Sequence, residues 1–227
     1  MKAILLASLV YAAGTLGVGD DMLALRWEPK GGETYLFEHT IASGEGENAF
    51  EATAVIELKV KLVGRDGSYQ TEATSKGVLI RLGGGEMKDD RSHVTLISHD
   101  ASGKVIKILK SNDELAAMRS ASLTRFVSPN HPVSVGTSWQ VLYPASKEFN
   151  GARVNYKFEE LRGANNQEAV VSFTIAEDNR ERPFKGSGTW VIDRNSGKFI
   201  SMSAKVDNWL PDMAQATITV KRLPVSG

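Results

Sequence analysis

The feature that most limits the fold of this chain is a two-residue alternation of apolar and polar side chains. In segment 50–62 one face carries only apolar side chains: Phe50, Ala52, Ala54, Ile56, Leu58, Val60 and Leu62. The intervening positions are mostly Glu, Lys and Thr. This pattern indicates an antiparallel strand with one buried and one hydrated face. At about 3.3 Å per residue it would span roughly 40 Å, which predicts a twisted or curled sheet.

Alternation of the same kind predicts strands along most of the chain. They cover 33–42, 50–62, 69–82, 94–98, 105–110, 139–143, 152–161, 168–177, 188–193, 198–206 and 214–222, with a further pairing segment at 20–30. The apolar phase of segment 69–82 shifts by one residue at Gly77, which indicates a β-bulge. Gly83 to Gly85 are expected to open an exposed polar loop that continues to Arg91.

One short helix is predicted from Ser111 to Ser122, because Ser111 and Glu114 have the spacing of a capping box. About a dozen antiparallel strands and one helix make the chain mainly β. We expect a curled antiparallel sheet or an incomplete barrel, with a filled β-sandwich as the alternative.

The chain also divides into two halves of similar plan, at about 20–128 and 129–227. The joint is the stretch 130–139, where Pro132 and Gly136 mark a turn before a strand that begins at Trp139. Both halves contain a turn that ends in Ser-Gly-Lys, at Ser102 and again at Ser196. These matches predict two pseudo-repeated halves within a single β-rich domain, 20–227. The alternative is that two unrelated hairpins use the same turn residues.

Residues 1–19 have the pattern of a secretory signal peptide: Lys2, an apolar run from Ala3 to Ala13, and then small residues. The run is short for a transmembrane span, although an uncleaved membrane anchor is the rival interpretation. The chain has no cysteine, which excludes a lipid-attachment site and disulfides. We therefore expect an exported protein, periplasmic or extracellular, with no stable membrane span after removal of the signal.

Composition and motifs argue against several functions. Lysine plus arginine and aspartate plus glutamate number 27 each, so no electrostatic footprint for nucleic acid is present. Ser187 lacks the flanking pattern of a serine nucleophile, and Gly83 to Gly85 lack the residues of a phosphate loop. His93 and His99 are better explained as polar residues of a hydrated hairpin than as metal ligands. We expect no catalytic residue, no cofactor and no metal site, and therefore no enzyme.

Two motifs carry a family resemblance. They are the joint Pro132-Val133-Ser134-Val135-Gly136-Thr137-Ser138-Trp139 and the late hairpin Gly186-Ser187-Gly188-Thr189-Trp190-Val191-Ile192-Asp193. In these the chain resembles a family of uncharacterised exported bacterial proteins, a domain of unknown function. The resemblance implies export and a β fold and supplies no activity. Many members carry a lipid-attachment cysteine, which this chain lacks.

One short helix is too small to cover the apolar faces of so many strands, so another sheet or a ligand must fill them. The leading hypothesis is a non-enzymatic envelope protein that holds a lipid or another hydrophobic ligand on the concave face of its sheet. The predicted lining residues are Leu58, Val60, Leu115, Met118, Tyr156, Phe158, Phe173 and Trp190. The alternative is a structural or protein-interaction module with a filled core and an envelope protein as its partner.

Overall fold

The computed structural model describes residues 22–147, 149–178, 181–210 and 213–224. The predicted signal peptide, 1–19, lies outside these residues. Within them the chain forms eleven strands and one α-helix, α1 (Glu114–Thr124). The strands are β1 (Thr34–Ser43), β2 (Phe50–Val63), β3 (Tyr69–Leu82), β4 (Gly85–His99), β5 (Val105–Lys110), β6 (Ser138–Tyr143), β7 (Ala152–Arg162), β8 (Glu168–Glu177), β9 (Lys185–Asp193), β10 (Phe199–Leu210) and β11 (Met213–Leu223). Two short 3-10 helices lie at Gly46–Asn48 and Ala164–Asn166.

All eleven strands belong to one antiparallel sheet, in the order β5-β4-β3-β2-β1-β11-β10-β9-β8-β7-β6. The chain starts in the middle of the sheet, runs strand by strand to β5 at one edge, and crosses to β6 at the other. It then returns strand by strand until β11 pairs with β1, with Phe37 opposite Arg222 and Ile41 opposite Ile218. The one non-local strand pair, β1 with β11, therefore joins the two halves of the sequence.

The sheet curls until it is nearly closed, and the segment between α1 and β6 lies between its two edges. Ser128 donates its backbone N–H to the carbonyl of Ser102, in the turn before β5, at 2.9 Å. The indole N–H of Trp139, on β6, donates to the carbonyl of Val127 at 3.0 Å. Because this segment bonds to both sides, it covers the gap that a fully closed sheet would not have.

The fold confirms the predicted curled sheet and excludes the β-sandwich, since the strands belong to one sheet. The bulge at Gly77 is also confirmed: the pairing of β3 with β4 shifts between Lys76 and Val78, and Gly77 has a φ of 76°. That positive φ is open to glycine at no steric cost, which explains why the phase changes there.

Three local predictions were wrong. Gly83 and Gly84 form a tight turn with positive φ, and β4 begins at Gly85, so the expected loop to Arg91 is a strand. Of segment 20–30, the described residues 22–30 contribute an isolated bridge between Leu23 and Val133 and no regular strand. Ser111 does not cap α1; Asp113 does, by accepting from the backbone N–H of Ala116 at 2.9 Å. An aspartate next to the first turn competes well for that role because its charge also suits the helix dipole.

Aromatic side chains fill the inside of the curled sheet. Phe126 belongs to the crossing segment, which is residues 125–137 between α1 and β6. Its ring centroid lies within 6.0 Å of those of Trp139, Tyr156 and Trp190. Trp190 meets Phe199 edge to face at 5.5 Å, and the aromatic contacts continue from there to β1. The crossing segment thus supplies the centre of the core as well as the cover of the gap.

Two glycines of the Ser-Gly-Lys turns allow chain segments to cross them closely. A Cβ on Gly103 would lie 2.8 Å from the carbonyl oxygen of Phe126, and one on Gly197 would overlap the backbone of Arg26 and Trp27. Both residues have a positive φ. Each Ser-Gly-Lys turn is therefore a place where another part of the chain packs closely, the crossing segment at Gly103 and the N-terminal segment at Gly197. The duplication of the two halves stays a prediction.

A buried ion pair fixes α1 to the sheet. Arg119 of α1 donates to Glu177 of β8 at 2.6 Å, and their side chains are 6% and 0% exposed. Arg119 also donates to the carbonyls of Asn208 and Trp209, and Glu177 accepts from the backbone N–H of Phe184. The charges are paired and make further hydrogen bonds, which offsets part of the cost of removing them from water, while Arg119 Nε stays buried without a hydrogen-bond partner.

We predict that Glu177→Ala lowers the free energy of unfolding by about 3–5 kcal/mol, because it leaves the guanidinium of Arg119 buried without its counter-charge. Urea denaturation followed by tryptophan fluorescence measures this. The double variant Arg119→Met/Glu177→Leu should be clearly more stable than either single truncation, since it removes both charges. A double variant whose losses simply add would show that the two residues act independently.

Candidate functional site

The residues predicted to line a ligand site lie mostly in the protein's own core. Seven of them are buried: Leu58, Val60, Met118, Tyr156, Phe158, Phe173 and Trp190. The eighth, Leu115, is partly buried and packs against the same core. They belong to both halves and to α1, so the structure does bring them to one interior, where they pack against one another and their neighbours.

Two small cavities lie within this interior. One, of about 20 Å³, is lined by Trp27, Tyr35, Phe37, Leu58, Lys198, Phe199 and Arg222. The other, of about 40 Å³, is lined by Trp27, Tyr69, Ser102, Gly103, Arg125, Phe126, Ser128, Gly197 and Phe199. Since a water molecule needs at least about 10–15 Å³ of such volume, these spaces hold one to a few water-sized groups and no lipid chain.

A much larger depression lies on the opposite, outer face of the sheet, across strands β6 to β11. This outer groove has a volume of about 800 Å³. Its side chains on the hydrated phase of the strands are Ser138, Gln140, Asn155, Lys157, Ser172, Thr174, Ser187, Thr189, Ser203, Lys205 and Thr217. Hydroxyls and amides predominate among these side chains, and Trp139, Tyr156, Phe173, Gly188 and Ala204 also line the groove. The groove therefore combines hydrogen-bond donors and acceptors with apolar surface and has little net charge.

Strand register arranges these side chains in two rows that run across the strands. In one row Lys157 lies opposite Ser172, Ser172 opposite Thr189, and Thr189 opposite Ser203. In the other, Asn155, Thr174, Ser187 and Lys205 follow one another in the same way. Neighbouring strands are about 4.8 Å apart, so each row presents polar groups at that spacing.

Only part of the groove is committed to internal bonds. Lys157 pairs with Glu159 at 2.7 Å, and Ser172 donates to the same carboxylate at 2.6 Å. The bond from Lys157, followed by that from Ser172, lowers the pKa of Glu159. Within the described residues Lys205, on β10, has no ion-pair partner, so its ammonium is left for a partner in the groove.

A buried polar cluster lies inside the first half of the sheet. His99 is fully buried, stacks on Tyr69 at 4.6 Å, and is 2.9 Å from the hydroxyl of Thr71 through Nε2. Its Nδ1 is 3.2 Å from the carbonyl of Gly103, so Nδ1 is the nitrogen placed to carry the hydrogen. Burial, followed by the nearby charge of Arg125, lowers the pKa of His99 to about 3. The same two causes lower the pKa of His39 to about 4.

These histidines do not form a metal site in the part of the chain that is described. No three His, Asp or Glu side chains come together there to hold a metal ion. His93 is exposed, whereas His99 is bonded to Thr71 and Gly103. Among the same residues, no helix is long and apolar enough to cross a membrane.

Comparison with known proteins gives no family for this chain and a structural similarity at low sequence identity. No family model matches the chain, and no curated protein is significantly similar to it. The resemblance carried by the joint and hairpin motifs therefore stays a prediction. Among solved structures, the chain is similar to a candidate exported protein with a YmcC-like fold from Bacteroides fragilis NCTC 9343. The identity is 11% and the TM-score 0.39, over 88% of this chain and 100% of that one.

Two features of the site were missed at the level of sequence. The groove residues occupy every second position of β7 to β11, which is visible in the sequence, but the same pattern describes any hydrated face of a sheet. The position of Arg125 inside the fold had no such signal, because it follows α1 in a segment without periodicity. Locating the groove requires the curvature of the sheet, and locating Arg125 requires the path of the segment after α1. Neither is visible in the sequence.

We predict that acid weakens the fold because His99, which is buried, and His39, which is half-buried, are held as neutral groups. Between pH 6.5 and 4.5 the unfolded chain protonates these histidines and the folded chain does not, so acidification favours unfolding. The free energy of unfolding should fall by up to about 1.4 kcal/mol per pH unit for each histidine. Urea titrations at several pH values measure this slope.

Replacing His99 with Gln should reduce the slope by about half, whereas His131→Gln, at an exposed position, should leave it unchanged. An equal slope in the wild type and in the His39→Gln/His99→Gln double variant would show that other groups cause the acid sensitivity.

Proposed function

We propose that this chain is an exported, non-enzymatic interaction module that binds a polar polymer of the cell envelope along its outer groove. The observation that carries the proposal is the contrast between the two faces. The inner face of β7 to β11 is filled by the protein's own side chains, and the interior cavities measure about 20 and 40 Å³. The outer groove has about 800 Å³ and remains open to solvent along six strands.

The chemistry of the groove favours a hydroxyl-rich partner, such as a segment of glycan. Serine and threonine hydroxyls donate and accept hydrogen bonds, as sugar hydroxyls do. Gln140 and Asn155 add amide groups that are partly used within the groove, since Gln140 Nε2 donates to Asn155 Oδ1 at 2.7 Å and Asn155 Nδ2 donates to Thr174 Oγ1 at 3.4 Å. Lys205 adds one ammonium, which suits a glycan that carries occasional carboxylates. The alternative partner is an envelope protein that binds the same face of the sheet.

Hydroxyls at the centre of the groove provide that test. We predict that Ser187→Ala/Thr189→Val lowers affinity for envelope glycan fragments at least about ten-fold, because each lost hydrogen bond is worth about 0.5–1.5 kcal/mol. Isothermal titration of the full chain against purified glycan fragments gives the dissociation constant. The fold should be preserved, since valine has the shape of threonine and suits a strand.

The matched control is Thr74→Val, on the hydrated face of β3 outside the groove; Thr74 and Thr189 are both half-buried. Its affinity should equal that of the wild type. If the wild type binds no glycan and instead retains an envelope protein at the groove, the glycan proposal fails and the protein partner replaces it.

A hydrophobic ligand is favoured by a different observation, at the far ends of β1 to β4. There the inner face carries a cross-strand row of Ile41, Ala52, Ile80 and Met87, each opposite the next. None of the four is fully buried, and Met87 is 60% exposed. This apolar row is unfilled by the described part of the chain, so a lipid tail would bind here rather than among the predicted lining residues, most of which are buried in the core.

For this second function we predict that the full chain binds palmitate, and that Ile80→Asp abolishes binding because a carboxylate then replaces the apolar contact. Native mass spectrometry measures the bound stoichiometry. Leu79→Asp is the control, since Leu79 is half-buried on the opposite face of the same strand. Absence of palmitate uptake by the folded wild type would exclude the lipid function.

A further inference from the structure

Arg125 is a cationic side chain inside the fold without a counter-charge. It begins the crossing segment directly after α1 and lines the cavity of about 40 Å³. Its Nε atom is buried and has no hydrogen-bond partner. Within the described residues, its guanidinium forms no ion pair and no hydrogen bond. The residue as a whole is half-buried, and an ion held partly inside the fold without a partner is costly, so such a group can mark a site where a further partner binds.

The surroundings of Arg125 offer donors and no free carboxylate. Trp27 lines the same cavity, and its buried indole N–H, which lies near the hydroxyl of Tyr35, makes no hydrogen bond of full geometry. Tyr69 lines it as well, and burial keeps this phenol protonated because its pKa is raised. His39 and His99 feel the charge of Arg125 and are neutral. The nearby carboxylate of Asp100 is committed to its own turn, where it accepts from Ser102 and from the backbone N–H of Lys104.

The size of the cavity limits what can bind. A water-sized particle needs at least about 10–15 Å³ of such volume, so about 40 Å³ accommodates roughly three such particles. A halide with one or two waters fits, and so does a carboxylate group. A phosphate ester or a sugar is too large for the space as it stands.

We propose that this cavity binds a compact monovalent anion, held by the guanidinium of Arg125 and the indole N–H of Trp27. The anion is a free ion such as chloride or the carboxylate end of a larger molecule, and both present the same charge and acceptor chemistry. Binding neutralises the interior charge and bridges the N-terminal segment at Trp27 to the crossing segment at Arg125. The anion is thus a structural ligand that ties together the two segments that cover the sheet.

The test is thermal and urea unfolding of the full chain in sodium gluconate, with chloride replacing gluconate at constant ionic strength. A dissociation constant of about 10 mM would lower the unfolding equilibrium constant about ten-fold at 100 mM chloride. Arg125→Met should lose this response and Trp27→Phe should weaken it. Arg65→Met, at an exposed arginine, should retain it, which separates specific binding from a general salt effect.

Two further measurements identify the anion, as a free ion or as the carboxylate of a larger molecule, and its position in the cavity. Formate and octanoate replace chloride in the same titration: equal effects of chloride and formate indicate a free ion, and a much stronger effect of octanoate indicates the carboxylate of a larger ligand. Crystals soaked in bromide should show an anomalous peak beside Arg125. A cavity that contains only water, together with equal chloride responses of the wild type and Arg125→Met, would overturn the proposal.

Discussion

The curl of the sheet on its own apolar face is the constraint on which the rest of this structure depends. Eleven antiparallel strands with alternating side chains carry far more apolar surface on one face than one helix can cover. A flat sheet would leave that surface in water, where each Å² of apolar area costs about 25 cal/mol. Curling lets the inner faces of β7 to β11 meet the N-terminal segment, α1 and the crossing segment. The large side chains Phe158, Trp190 and Ile218 are almost completely buried as a result.

A curled sheet that does not close leaves two edges, and the crossing segment resolves that problem. The edges at β5 and β6 would otherwise expose unpaired backbone groups to another chain. The segment after α1 bonds to the turn before β5 through Ser128 and to β6 through Trp139. Because it must pass through the gap, it also carries side chains inside: Phe126 to the aromatic core and Arg125 to the polar cluster. Covering the gap and placing a charge in the interior are therefore consequences of one chain path.

The parts of the fold that local pattern determines could be predicted, and the parts that depend on distant contacts could not. Alternation defined β2, β8 and the bulge at Gly77, because the phase of a strand is written in consecutive residues. The pairing of β1 with β11 has no local signal, since it joins residues 175 to 187 positions apart. Asp113 replaced Ser111 as the cap of α1 because two neighbouring residues can both accept from the first turn. For the candidate site, residue type alone could not separate Thr189, in the groove, from Thr74, outside it.

The two halves of the sheet are filled unequally, and this decides where a ligand could bind. The inner faces of β7 to β9 carry Tyr156, Phe158, Phe173 and Trp190, which leave no large internal space. The inner faces of β2 and β3 carry Ala52, Ala54, Ala73, Thr71 and Ser75 at corresponding depth. The apolar row at Ile41 and Ile80 stays half-buried. Under the proposed lipid function a hydrophobic ligand would therefore bind in the first half, and under the proposed glycan function the tightly packed second half would support the outer groove.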